Sequence, residues 1–352
     1  MTNKWWDREN FSLKKEGLLK KALFLKTIRN YFEKEGFVEV DTPALQVCPG
    51  MEVHLKAFET KLVETFGQEE KTMFLHTSPE LSMKKLLSAG MERIYTFAHV
   101  FRNEERSQKH HPEFMMIEWY RAKEDYTSMM KDTENIILSM AKAGGVSCFK
   151  RRDEQGQIKE CSLTEGFEYL TVQEAFLKYA GFDVFKTIEE GNPLEPSPKK
   201  IMKEAEKLGI FYSQTDRYED VFFRIMLEKV EPKIGRERPT FIYEYPTCLG
   251  ALARKKPTDE RVVERFELFA LGVELCNAFS ELTDEKEQRE RFYHDQRLKK
   301  ELYGDFYPID EDFMAALKQM PEAAGNALGV ERVIMLLLGA DKIEDVLWVP
   351  VA

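Results

Sequence analysis

The stretch from residue 101 to 120, FRNEERSQKHHPEFMMIEWY, constrains the fold more than any other part of the chain. Its polar centre, from Glu105 to His111, separates two arms, which predicts two antiparallel strands joined by a long loop. Because alternate side chains of a strand point to the same face, Arg102 and Glu104 are expected to share one surface. A guanidinium, carboxylates and an aromatic ring on one surface suit a triphosphate, a purine and a cationic amine. An ordinary hairpin with a solvated tip is the alternative that this stretch alone leaves open.

Composition limits the classes of function. The 352 residues carry a formal net charge of −10, whereas proteins whose main task is gripping nucleic acid usually carry a basic excess. Apolar runs fall far short of the ~20 residues that a membrane span needs. The five cysteines are scattered and lack C-x-x-C pairing, which favours reduced thiols over zinc. With the polar N-terminal sequence, these features predict a cytoplasmic protein without a membrane partner.

Helical and strand patterns alternate along the rest of the chain. Helices are predicted at 18–35, 81–89, 125–143, 171–179, 199–208, 216–230 and 283–303. Strands are predicted at 37–40, 52–63, 71–76, 94–100 and 240–245, as pairs within 148–161 and 265–279, before a helix within 321–338, and at 345–351. The segment at about 180–235 is mainly helical and carries no motif with evident chemistry. We interpret it as an insertion into one domain that spans residues 1–352.

Three stretches resemble the motifs of class II aminoacyl-tRNA synthetases, in that family's order, and the lysyl type in particular. Residues 36–43 resemble motif 1, which lies at the family's dimer interface, 101–114 resemble motif 2, and 325–332 resemble motif 3. One such motif is a weak signal, but three in order cover nearly the whole chain. The resemblance implies an α+β class II synthetase catalytic fold, with a mainly antiparallel sheet flanked by helices, and a homodimer.

The resemblance extends to a truncated group within that family. Only about 17 residues precede the first predicted helix, too few for the oligonucleotide-binding barrel of lysyl-tRNA synthetases. The chain therefore resembles the truncated paralogues that activate (R)-β-lysine with ATP and attach it to a lysine of elongation factor P, without binding a tRNA anticodon. A lysine-activating ligase for another acceptor, such as tRNA, and a non-catalytic paralogue are the alternatives.

For the nucleotide, the resemblance implies a site with an arginine at each end. Arg102 would stabilise charge on the α-phosphate and Arg332 would hold the γ-phosphate, and these two are the predicted catalytic residues. Glu104 would accept from the adenine amino group, Phe114 would stack on the purine, and Glu274 would bind Mg²⁺. The predicted ATP-binding set is Arg102, Asn103, Glu104, His111, Phe114, Glu274, Leu275, Gly329 and Arg332.

For the amino acid, the resemblance implies carboxylates at both ends of a slot. Glu80 would bind the amine near the carboxylate, although Glu80 also suits a helix start. Glu118 and Tyr120 would bind the terminal ammonium. Ala327, where lysyl-tRNA synthetases usually have glycine, would shift the position of the amino group, although it also suits packing between strand and helix. The predicted substrate-binding set is Ser78, Pro79, Glu80, Glu118, Tyr120, Glu281 and Ala327.

Glu281 follows Glu274 by seven residues, and the resemblance implies that both lie in the site. Seven residues of ideal strand span about 23 Å and put the two side chains on opposite faces. Either the chain bends near residues 277–278 or the two carboxylates serve different ligands. We therefore assign Glu274 to Mg²⁺ and Glu281 to Mg²⁺ or to the substrate.

Two positions depart from the family pattern. His111 replaces a usual asparagine, and Glu331 replaces a usual aspartate. The sequence offers no evident general base for transfer to an acceptor amine.

Overall fold

The computed structural model describes residues 4–67, 69–189, 191–250 and 252–351. Helices and strands within them form an α+β fold. The helices are α1 (Arg8–Lys34), α2 (Glu80–Ser88), α3 (Tyr126–Gly144), α4 (Val172–Tyr179), α5 (Lys199–Lys207), α6 (Tyr218–Ile225), α7 (Glu285–Tyr303), α8 (Glu311–Leu317) and α9 (Val330–Leu338). The strands are β1 (Val38–Glu39), β2 (Leu45–Gln46), β3 (Phe58–Val63), β4 (Glu70–Leu75), β5 (Arg93–Phe101), β6 (Glu113–Ala122), β7 (Cys148–Arg152), β8 (Ile158–Ser162), β9 (Glu168–Thr171), β10 (Thr240–Pro246), β11 (Lys255–Lys256), β12 (Asp259–Ala270), β13 (Val273–Ser280) and β14 (Ala323–Gly329).

One large sheet organises the molecule. Its strands follow the order β1-β5-β6-β14-β13-β12-β10-β9, and β11 pairs with β12. The pairs β1–β5 and β9–β10 are parallel, and the other pairs are antiparallel. Since helices flank this sheet, the predicted mainly antiparallel α+β architecture is confirmed. Strands from distant parts of the sequence, β6, β12, β13 and β14, meet at its centre, which brings residues 101–114 and 325–332 together. Residues 36–43 contain β1, which lies at the edge of the sheet.

The predicted hairpin of residues 101–120 is confirmed, but its strands are shorter at the tip. Strand β5 ends at Phe101, so Arg102 and Glu104 lie in the loop. Glu104 adopts a left-handed backbone with φ of 65° and its carboxylate accepts from Lys56 Nζ at 2.8 Å. The prediction that Arg102 and Glu104 share a strand face is therefore wrong, because the backbone leaves strand geometry between them.

Helices α1, α3 and α9 pack against the sheet around a core that includes Phe24, Ile28 and Trp119. Helix α1 begins ten residues before the predicted start, because the Asp7 side chain accepts from the backbone N–H of Glu9 and caps the helix there. The predicted strand at 345–351 is wrong. That segment starts inside a 3₁₀ turn, Ile343–Val346, whose apolar side chains join the core.

The segment predicted as an insertion contains α5, α6 and a π-helical turn, Met226–Val230. Its apolar residues form a second hydrophobic cluster with strands β10 and β12, in which Ile201 and Phe222 are buried beside Ile242. That it is an insertion into the family's domain stays a prediction. Among the described helices, none combines the length and the apolar character that crossing a bilayer requires.

Candidate active site

A cavity of about 460 Å³ opens over strands β6, β14, β13 and β12. Arg102 and Arg332 both line it, although 230 residues separate them in sequence. The other predicted site residues in its wall are Ser78, Glu80, Phe114, Glu118, Tyr120, Glu274, Leu275, Glu281, Ala327 and Gly329. Among the residues that the structure describes, the cavity wall does not include four other predicted site residues: Pro79, Asn103, Glu104 and His111.

Both arginines are held in the cavity wall by contacts with neighbouring residues. The Arg102 guanidinium lies 5.2 Å from the centre of the Phe114 ring, and its Nε donates to the Thr77 carbonyl at 3.4 Å. Arg332 lies in the first turn of α9, where Nη1 donates to the Glu274 carbonyl at 2.9 Å. Backbone acceptors thus orient both side chains. Guanidinium groups in this arrangement bind phosphate oxygens in a fork.

Glu118, also in the cavity wall, is buried and hydrogen-bonded. Its carboxylate accepts from Ser78 Oγ at 2.7 Å and from Tyr120 Oη at 2.6 Å. Burial is the main reason that the pKa of Glu118 rises to about 8, and the charge of Glu80 adds to the rise. Hydrogen bonds to the ionised form offset only part of this cost. The position therefore favours a cationic ligand, which would stabilise the carboxylate.

Lys84 joins two of the predicted substrate carboxylates. Its Nζ is 2.5 Å from Glu80 Oε1 and 2.5 Å from Glu281 Oε2, and its side chain is fully buried. Burial alone would lower the pKa of Lys84, but the charges of Glu281 and Glu80 outweigh burial and raise it. The sequence analysis missed this residue. The available signal was its spacing of four from Glu80 on one helix, which predicts an ion pair but not its burial.

The buried charges around Lys84 do not balance. Glu80, Glu118 and Glu281 face one ammonium, that of Lys84. Burial also raises the pKa of Glu281 to about 8, and its Oε1 has no hydrogen-bond partner among the described residues. An unpaired buried carboxylate is costly, so the empty pocket favours protonation or a cation. A ligand with two ammonium groups would balance the negative charge of these carboxylates.

Glu274 and Glu281 lie at different places in the cavity. The Glu274 carboxylate is 43% exposed and 3.9 Å from Arg332 Nη1, whereas Glu281 is buried beside Lys84. Of the two expected explanations, different ligands fits this geometry. Glu267, which the sequence analysis did not single out, also lines the cavity. Burial raises its pKa to about 7, Arg265 opposes the rise and Glu274 adds to it, which indicates two neighbouring carboxylates.

Small residues of β14 leave room above the carboxylates. Gly325 lies opposite Tyr120 and Ala327 lies opposite Glu118 in the antiparallel pairing of β14 with β6. A Cβ atom at Gly325 would collide with the Tyr120 ring and lie 2.6 Å from Glu281 Oε1. Glycine at this position is therefore required by the close approach of the two side chains.

Two predicted ATP-binding residues have other partners in this structure. Glu104 lines a separate cavity with Asn103 and is paired with Lys56. His111 is buried, with Nδ1 at 2.5 Å from the Glu113 carbonyl and Nε2 accepting from the Val351 backbone N–H at 3.2 Å. Glu331 accepts from Lys21 at 2.8 Å and from the Met115 backbone N–H at 2.9 Å, so it fixes α9 against α1 and β6.

Comparison with known proteins agrees with this geometry. The family model for class II tRNA synthetases (D, K and N) matches residues 2–352. The chain is 39% identical over 333 residues to the elongation factor P–(R)-β-lysine ligase of Photorhabdus laumondii subsp. laumondii, covering 94% of this chain and 93% of that protein. Proteins with the same name in Proteus mirabilis and Haemophilus ducreyi are both 38% identical, with 95% and 94% of this chain and 94% and 92% of theirs covered. The chain therefore belongs to the class II tRNA synthetase family and, within it, to the group of elongation factor P–(R)-β-lysine ligases.

Proposed function

We propose that the protein uses ATP to activate (R)-β-lysine as its adenylate and transfers it to a lysine ε-amine of elongation factor P. The buried excess of carboxylates around Lys84 is the observation that carries the choice of a diamino acid. Membership of the ligase group supports the acceptor. A translation factor as acceptor and ATP as co-substrate also place the reaction in the cytoplasm.

In the first step, a carboxylate oxygen of the amino acid attacks the α-phosphorus of ATP, and the bond to the bridging oxygen of pyrophosphate breaks. The protein contributes mainly position and charge stabilisation to such a step. Arg102 stabilises the negative charge that grows on the α-phosphate, and Phe114 stacks on the purine. Arg332 holds the γ-phosphate. Adenine recognition by Glu104 requires that this carboxylate leave Lys56 when ATP binds.

The donor set suits Mg²⁺. Glu274 offers a half-exposed carboxylate beside Arg332, and Glu267 is its acidic neighbour in the cavity wall. Among the described residues no group of three or more His, Cys, Asp or Glu side chains could hold a metal ion, and Mg²⁺ commonly relies on one or two carboxylates plus phosphate oxygens. Bound there, the ion would neutralise phosphate charge. Glu281 is assigned to the substrate, because Lys84 already pairs with it.

The amino acid lies between two acidic groups in this proposal. Glu118 and Glu281 bind the terminal ammonium with Tyr120, and Glu80 binds the other amine. Ala327 places a methyl group directly above the ammonium site, where it changes the space available to α- and β-amino isomers. Differences of this size change binding by ~1–3 kcal/mol, which gives preference and not exclusion.

A homodimer is part of the proposal. Leu19 and Leu23 lie one turn apart on α1 and are 57% and 42% exposed. Neighbouring apolar side chains on one surface favour a protein interface. The motif 1 resemblance of residues 36–43 also supports a dimer.

ATP–pyrophosphate exchange with (R)-β-lysine and with α-lysine, followed by mass spectrometry of elongation factor P, tests the proposal. We expect faster exchange with β-lysine and a mass increase of one lysyl residue on the factor. Arg332→Leu should abolish both, whereas Arg238→Leu, an exposed arginine outside the cavity, serves as the matched control. Exchange only with α-lysine together with labelling of tRNA would refute the proposal.

A further inference from the structure

The structure adds a sixth carboxylate, Glu52, to the five glutamates already described in the cavity wall. It lies on the loop before β3, and the sequence analysis did not single it out. Among the described residues no side chain donates a hydrogen bond to its carboxylate, unlike Glu80, Glu118 and Glu281, which all pair with neighbours. Burial raises the pKa of Glu52, the charge of Glu80 adds to the rise, and the charges of Arg102 and Lys299 oppose it.

The neighbours of Glu52 define its place. Its Oε2 and Thr77 Oγ1 lie around one point beside Gly50, each 2.6 Å from it. The Thr77 carbonyl accepts from Arg102, which the proposal puts at the α-phosphate, and the charge of Glu80, which it puts at the amine nearest the reacting carboxylate, also acts on Glu52. The bond that forms in the first step joins these two places. Glu52 therefore lies beside the position of the adenylate, which is a mixed anhydride. The acceptor amine must reach the carbonyl carbon of this anhydride.

Glu52 is also close to the mouth of the cavity. His54, two residues along the same loop, is exposed and lines the cavity, as does Phe223 of α6, which is 39% exposed. The cavity thus opens to solvent beside this loop. An acceptor lysine that enters here passes Glu52 before it reaches the anhydride. His54 is a weaker candidate for contact with the amine, because its Nδ1 is hydrogen-bonded to Tyr303 Oη at 2.7 Å.

We propose that Glu52 binds the ε-amine of the acceptor lysine and takes its proton during transfer. This inference rests on the proposed function. The amine nitrogen attacks the carbonyl carbon of the adenylate, the carbon–oxygen bond to the phosphate breaks, and AMP leaves with the electron pair. Before attack, the Glu52 carboxylate takes one proton from the ε-ammonium and releases it to solvent at the cavity mouth. After attack, the nitrogen is positively charged and strongly acidic, so it loses its second proton to water and a neutral amide remains. A lysine ammonium cannot attack the carbonyl carbon, because its nitrogen has no free electron pair. A carboxylate that takes one of its protons restores that electron pair.

Separate assays of the two half-reactions test the assignment. In Glu52→Gln, exchange with ATP and (R)-β-lysine should stay within about threefold of the original enzyme, while single-turnover transfer to elongation factor P falls by roughly 10²–10⁴-fold. Hydroxylamine, an amine that is already neutral at pH 7, should still capture the adenylate at an unchanged rate. Glu52→Asp should recover part of the transfer rate. Glu59→Gln, an exposed carboxylate on β3 outside the cavity, is the matched control and should change neither step.

Two outcomes would overturn the assignment. If exchange and transfer fall together in Glu52→Gln, the residue binds the amino acid and not the acceptor. If both steps keep their rates, Glu52 has no part in the reaction. The original enzyme serves as the reference for the first step: absence of exchange in it would refute the proposed function itself, which keeps the two failures distinct.

Discussion

Ala327 lies directly opposite Glu118 in the pairing of β14 with β6, so its methyl group stands over the carboxylate that we assign to the terminal ammonium. Directly paired residues of an antiparallel sheet have Cβ atoms about 4.5–5.5 Å apart, on the same face. A single methyl group at this distance occupies space that a substrate amino group or carbon chain would otherwise use. We therefore propose that Ala327, a residue of the sheet, contributes to selectivity between lysine isomers.

Ala327→Gly tests this relationship. We expect the ratio of kcat/KM for β-lysine over α-lysine in the exchange reaction to fall by roughly 5- to 150-fold, the equivalent of ~1–3 kcal/mol. Stability should change little, since the side chain is only partly buried. A ratio unchanged within twofold would show that the methyl group does not discriminate.

Lys84→Met tests the bridge between Glu80 and Glu281. Removing one partner of a buried ion pair leaves uncompensated charge and typically costs ~3–5 kcal/mol, so the midpoint of urea unfolding should fall strongly. In this variant Glu80 and Glu281 lose the ammonium that they share. The double variant Lys84→Met with Glu281→Gln removes one of these two carboxylates and should recover part of the lost stability. Lys20→Met, a partly exposed lysine on α1 whose ammonium pairs with Glu16, is the matched control. Equal stability of the single and double variants would contradict a coupled pair.

The pH dependence of substrate binding follows from the raised pKa values of Glu118 and Glu281, both about 8. Below pH 8 the empty pocket holds protons that a diammonium substrate must displace, so affinity should weaken as the pH falls from 8 to 6. The expected loss is roughly tenfold per pH unit for each carboxyl that must ionise. Calorimetry in buffers of different ionisation enthalpy should detect proton release, and Glu118→Gln should reduce it. Binding without proton release at pH 7 would contradict the prediction.

The raised pKa values of Glu118 and Glu281 also predict how the stability of the enzyme without substrate depends on pH. A carboxyl whose pKa is raised on folding stabilises the native state below its unfolded pKa and loses that contribution as the pH rises through the folded pKa. Stability of the empty enzyme from Glu118 and Glu281 should therefore decline between about pH 4.5 and pH 8. (R)-β-lysine should raise the Tm more at pH 8.5 than at pH 6. Thermal unfolding with and without the amino acid measures both, and an equal rise at the two pH values would count against the prediction.

The outer face of α1 offers a test of self-association. Leu19→Glu places a charge on the apolar surface formed by Leu19 and Leu23, and we expect the proposed dimer to dissociate at micromolar concentration in sedimentation velocity. Leu13→Glu, at an 86% exposed position on the same helix but outside that surface as we define it, is the matched control. A monomeric original enzyme would contradict the dimer at once.

Sequence reasoning reached the architecture because its signals were local and periodic. The helix predicted at 171–179 matches α4, whose start is fixed by a capping box between Thr171 and Glu174. The polar centre of residues 101–120 correctly marked the loop between β5 and β6. It failed where a turn or a cap decided the outcome. The left-handed backbone of Glu104 and the cap by Asp7 depend on single residues that periodicity does not weigh.

Only part of the active site could be predicted from the sequence. Residues in the motif-like stretches could be named, since the family pattern carries them. Lys84, Glu267 and Glu52 were missed because their importance arises from neighbours distant in sequence, such as Glu281 beside Lys84. Lys84 also illustrates that burial, which turns an ordinary helical ion pair into a fixed part of the pocket, is a property of the assembled fold.

The ammonium at the base of the pocket has a consequence for how this scaffold can diverge. A descendant enzyme that binds a neutral amino acid could not lose the carboxylates of the pocket one at a time, because each loss would leave the Lys84 ammonium less well paired. Losing Lys84 first would leave the buried carboxylates without their cation. A change in the charge of the substrate would require concerted replacement of residues on α2, on β6 and directly after β13. Change of side-chain length or amine position, by contrast, needs one small residue to grow or shrink, and that is the easier evolutionary path open to this active site.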